Sequence, residues 1–92
     1  MKNPPIKTIR DIAEILKNPP YRDVAIMCDT IVRMCGTFSD TPYAKPFAKL
    51  SVIANALRGK SVFEFKNVID IMLKQCAQSA QEVADITRQP SQ

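Results

Sequence analysis

Histidine is absent from this 92-residue chain. Its absence removes the commonest general base, every Ser-His or Cys-His nucleophile pair and every Cys/His zinc pattern. Glycine is almost missing: with two in the whole chain, a G-x-G-x-x-G turn or a P-loop phosphate cradle is excluded by count. The three cysteines, Cys28, Cys35 and Cys76, show no C-x-x-C spacing and cannot complete a four-sulfur metal site. Cys28 and Cys35 on one helix lie about 10 Å apart, beyond disulfide reach. All three read as buried free thiols, which suits a cytoplasmic, reducing setting. No window of about 18 uncharged apolar residues occurs, so no membrane-spanning helix is expected. The opening Met1-Lys2-Asn3-Pro4-Pro5 lacks the apolar core of a secretory leader. Neither cofactor nor metal is expected.

Carboxylate pairs are the remaining route to acid–base chemistry. Asp11 and Glu14 are three apart, as are Glu82 and Asp85. Each pair falls on a polar helical face beside basic residues (Arg10 and Lys17; Arg88), where solvated surface charge is the plain account. The expectation is that this chain is not an enzyme.

What is present is ordinary globular material, 46% hydrophobic and 24% charged. A chain this short makes one domain at most and buries only about 60–65% of its unfolded surface, a thin margin. Pro4-Pro5, Pro19-Pro20, Gly36, Pro42, Pro46, Gly59 and Pro90 divide it into four segments, each apolar at helical period. The first helix is expected at about 9–17, capped by Thr8, with Ile9, Ile12, Ala13 and Leu16 on one face. The second is expected at about 21–35, with Val24, Met27, Cys28, Ile31, Met34 and Cys35 inward and Gly36 as a left-handed stop. Pro46 forbids a helix running on from Pro42, so residues 42–45 read as a turn and the third helix as 46–58. Its inner face is Phe47, Leu50, Ile53, Ala54 and Leu57, and Gly59 ends it.

The fourth helix, about 62–87, opens on a capping box, Ser61-Val62-Phe63-Glu64. Val62, Phe65, Ile69, Met72, Cys76, Ser79, Val83 and Ile86 then recur at a/d heptad spacing. A short strand over 62–66 is the alternative, disfavoured by the cap and by the helical period behind it. The fold expected is all-α, a compact bundle of four helices forming one domain over 1–88, with a disordered tail at 89–92.

A helix of 26 residues is roughly 39 Å long, whereas a sphere of this size is only about 32 Å across. The first helices are short, so the end of the fourth is expected to overhang. That leaves Cys76, Ala80, Val83 and Ile86 as an apolar stripe for self-association, most simply as a two-fold homodimer. Further apolar residues fall off the inward stripes: Ala25, Ile26 and Val32; Val52 and Ala56; Phe63, Ile71 and Leu73.

The net charge of +4 is concentrated. Lys45, Lys49, Arg58, Lys60 and Lys66 stand against Glu64 alone between residues 41 and 66, with Tyr43 beside them. Such a segment suits phosphates or an acidic protein face, or simply a solvated surface. The opening T-I-R-D-I-A-E-I-L sounds like the first helix of a helix-turn-helix. The turn Asn18-Pro19-Pro20 and an apolar second helix bearing Asp23 and Asp29 argue against one. The functional expectation is a small protein-binding module, a regulator or inhibitor of the kind mobile elements such as phages carry. The alternative is a nucleic-acid-binding module using residues 45–66.

Overall fold

The computed structural model describes residues 4–18 and 23–88. Four helices carry nearly all of them: α1 Pro4–Lys17, α2 Val24–Gly36, α3 Ala44–Leu57 and α4 Val62–Arg88. No strand occurs among the described residues, and Val62–Lys66 forms the start of α4. The architecture is an all-α bundle of four helices. The second helix begins at Val24 after an extended Asp23, not at Tyr21, which, like the expected disordered tail at 89–92, lies outside the described residues.

Several helix ends differ from the sequence reading, each for a local reason. The first helix begins at Pro4 instead of near residue 9, so Thr8 sits inside it and does not cap it. Pro4 and Pro5 occupy its first turn, where the N–H they lack has no intrahelical partner in any case. Pro46 likewise occupies the first turn of α3, so that helix starts at Ala44 without breaking the proline rule. Gly36 and Gly59 adopt no positive φ. Instead of a left-handed stop, each helix tightens into i→i+3 turns that satisfy its last carbonyls. Phe38 N donates to Cys35 O and Ser39 N to Gly36 O, both at 3.1 Å, and Lys60 N donates to Leu57 O at 3.0 Å. Asp23 caps α2, accepting from the Ala25 amide at 2.8 Å. The α4 capping box is formed as its sequence implies: Glu64 N donates to Ser61 Oγ at 3.1 Å, and Ser61 N to Glu64 Oε1 at 3.0 Å.

Packing follows the apolar stripes. Ile9, Ile12 and Leu16 of α1, Met27, Cys28, Ile31 and Cys35 of α2, Phe47, Leu50, Ala54 and Leu57 of α3, and Phe65, Met72, Cys76 and Val83 of α4 form one core. Phe38 stacks on Phe47, ring centroids 4.3 Å apart and 6° from parallel, which holds the α2–α3 turn against that core. The helices are layered: α2 lies on α3, α3 on α4, and α4 on α1, with little contact between α1 and α2. The result is a prolate body of 46 × 21 × 21 Å, not the sphere assumed from chain length. A helix of 27 residues, about 40 Å long, fits its long axis.

Candidate protein-contact surface

The stripe expected to be left bare is covered. Cys76 is 4% exposed and Val83 fully buried, while Ala80 and Ile86 are half-buried. Leu73, Cys76, Ala77 and Ala80 line a shallow groove with Ile6, Ile9, Arg10, Ala13 and Lys17, so α1 lies along this half of α4. From the other side α3 reaches the same half. Ser79, at a polar heptad position, is fully buried and donates from Oγ to the Pro46 carbonyl at 2.8 Å, and Gln75 Nε2 donates to Ser79 Oγ at 3.0 Å. Self-association through Cys76, Ala80, Val83 and Ile86 therefore loses its premise. The expected overhang does not leave this half bare, because α1 and α3 both lie against it.

The bare end is the opposite one. Val62, the first heptad position, is 51% exposed, Phe63 75% and Ile71 58%. These are three of the five large exposed hydrophobics among the described residues, all within the first ten residues of α4; the others are Ile26 at 48% and Val52 at 67%. Phe63, Ile71, Ile26 and Val52 are all among the off-stripe residues singled out from the sequence. Leu73 and Val32 are half-buried against the core instead. Val62 also borders an open cavity of about 450 Å³ with Asp23, Val24, Ala25, Arg58, Lys60 and Ser61, where the starts of α2 and α4 meet.

The basic segment does not assemble into one patch. Lys49 Nζ pairs with Glu82 Oε2 at 2.7 Å, and Arg58 Nε with Asp29 Oδ1 at 2.7 Å, its Nη2 reaching Oδ2 at 3.0 Å. These pairs tie α3 to α4 and to α2. Lys45 stands at the start of α3 and Lys60 beyond its end, separated by a 14-residue helix of about 20 Å. Lys60 and Lys66 are exposed near the start of α4. Tyr43 is half-buried, its hydroxyl 3.4 Å from that of Thr87. The five cations are thus divided between two inter-helix ion pairs and two ends of the body.

Asp11 pairs with Lys7, Glu14 accepts from Asn18, and Asp85 pairs with Arg88, so each carboxylate of the sequence pairs has its own neighbour. All three cysteines are buried free thiols. Burial pushes each thiol above its usual pKa. Asp29 adds to this at Cys28, Ser51 opposes it at Cys35, and Cys76 is pushed up to about 11. Such thiols are poor nucleophiles. Hydrogen bonds from the Ser61 amide, then the Ser61 hydroxyl, hold Glu64 below the usual carboxylate range. Among the described residues no three His, Cys, Asp or Glu side chains gather where a metal ion would bind. No helix among them is long and apolar enough to cross a membrane.

No family model, curated protein or solved structure matches this chain.

Proposed function

We propose that this chain is a non-enzymatic protein-binding module, of the regulator or inhibitor kind, whose contact face is the N-terminal third of α4. The observation that carries this reading is the grouping of Val62, Phe63 and Ile71 in ten residues of one helix, at 51%, 75% and 58% exposure. Single exposed apolar side chains are unremarkable on any protein; here an aromatic and two aliphatics are exposed across one side of a single helix end, with Phe63 between Val62 and Ile71, and that concentration supports a contact surface. Aromatic residues are enriched in such surfaces, and charged residues rim them; here Lys60 and Lys66 flank Phe63. The nucleic-acid alternative is weakened by the two ion pairs of Lys49 and Arg58, which already occupy two of its five cations.

A pull-down from the native host's lysate tests the reading, with wild type beside Phe63→Asp and each with and without nuclease. The expected result is a protein that survives nuclease on the wild type and is lost from the variant. Equal recovery on both baits, or loss of everything under nuclease, overturns it.

A further inference from the structure

We infer that the occupant of the face around Phe63 is a second copy of the chain, docked antiparallel about a two-fold axis level with Val68; this rests on the protein-contact reading, with which it shares Phe63. Phe63, Lys66, Asn67, Asp70 and Lys74 are all exposed. At 100° per residue they fall within an arc of about 100°, so they form one outward face of α4. Lys66 and Asp70 have no ion pair with each other or with any other described residue. They are also equidistant along the helix from Val68.

That symmetry decides the pairing. Laid antiparallel, two such faces bring Lys66 level with Asp70 of the second copy, and the two-fold repeats the pair. Phe63 comes level with Leu73 of the second copy and lies one residue from its Lys74, which sets a cation near an exposed ring. A parallel pairing sets Lys66 on Lys66 and Asp70 on Asp70, so like charges meet. A partner bearing one sign of charge meets a like charge somewhere on the face, since lysines 66 and 74 flank Asp70. Beyond Lys74 the outward positions are Ala77, Gln78, Gln81 and Asp85, small or polar, so the contact is confined to about three turns. An interface of that extent sits at or below the ~1,200 Å² lower end of stable complexes, so the dimer is a weak one.

Analytical ultracentrifugation from about 10 µM to about 1 mM covers the range in which a weak interface associates. The wild-type mass is expected to rise from 10.3 kDa towards twice that value. Lys66→Asp and Asp70→Lys each set like charges against each other and are expected to weaken association about tenfold or more. An equimolar mixture of the two variants, or both changes in one chain, restores opposite charges and restores association. Phe63→Asp abolishes it. Helix content by circular dichroism is expected to stay at the wild-type value throughout, because every substituted side chain is exposed. A wild type that stays at 10.3 kDa near 1 mM overturns the inference, as does a dimer that ignores both charge reversals. If the chain is monomeric while Phe63→Asp still loses a host protein, the second copy is excluded and the contact reading stands. If it dimerises as described and no host protein depends on Phe63, only the wider reading fails.

Discussion

Between Met72 and Val83 the inward positions of α4 are enclosed from two sides, by α1 through Leu73, Cys76 and Ala80 and by α3 through the Ser79–Pro46 hydrogen bond. Ten residues before Met72, Val62 occupies the same heptad stripe and keeps half its surface in water. Both regions have the same apolar period. They differ in what lies beside them: from Phe65 to Val83 the inward positions are packed into the core, whereas Val62, at the helix start, is not. An apolar heptad position is therefore a demand for cover, and neighbouring elements decide whether the chain itself meets it. Where it does, the residue stabilises the fold; where it does not, the same residue type is available to a partner.

The largest expected effect separates the two halves directly. Val83→Asp places a carboxylate in a fully buried site with no partner, a penalty comparable to the whole stability of a small domain. Its cooperative thermal transition is expected to disappear in circular dichroism. Val62→Asp, at the first residue of the same helix, puts a negative charge at the positive helix end and is expected to change stability by less than about 0.5 kcal/mol. If the two variants melt alike, the contrast is broken.

A smaller effect sharpens what covers the second half. Ser79→Ala removes the buried hydroxyl that joins α4 to the Pro46 carbonyl, and is expected to lose about 1 kcal/mol in urea denaturation. Cys76 reports the same cover through its thiol. Native labelling by a thiol reagent is expected to be slow at neutral pH and fast in denaturant. Its raised pKa, about 11, favours the neutral thiol in the fold. That contribution is fully present below the ordinary thiol value of 9.0 and is lost as pH rises through about 11, so stability falls on the alkaline side. A flat stability profile between those values contradicts the burial. The smallest effect has the opposite sign. Gly36 is helical without positive φ, and a Cβ there meets nothing within 4 Å. Gly36→Ala is expected to raise the melting temperature, with a gain of about 0.5–1 kcal/mol.

The helices and most of their inward faces were legible in the sequence because period and punctuation are local signals. Ser61 and Glu64 announced the start of α4 within four residues, and the stripe from Phe65 to Val83 announced its buried face. Helix ends were less legible, because a proline is compatible with both a first turn and a break, and a glycine with both a stop and a helix. The Asp23 cap had a usable signal, an acidic residue directly before an apolar run. Two features were out of reach. The ion pairs Arg58–Asp29 and Lys49–Glu82 join residues about thirty positions apart, so a charge count along the chain reads their cations as unpaired. Which end of α4 is bare depends on where α1 and α3 lie along it, and no periodicity within α4 contains that.

The layering of α2 on α3, α3 on α4 and α4 on α1 also bears on how the chain assembles. The first two contacts join helices that follow one another, across short connections, and need little loop closure. The contact of α1 with α4 spans most of the chain, because α1 scarcely touches the helix next to it in sequence. The last three helices can therefore form a nucleus from local contacts, with α1 docking late and opening first as a cooperative unit of lower stability. Such an opening would uncover Leu73, Cys76 and Ala80, the flank of α4 that α1 covers, while α3 still holds Ser79 through the Pro46 carbonyl.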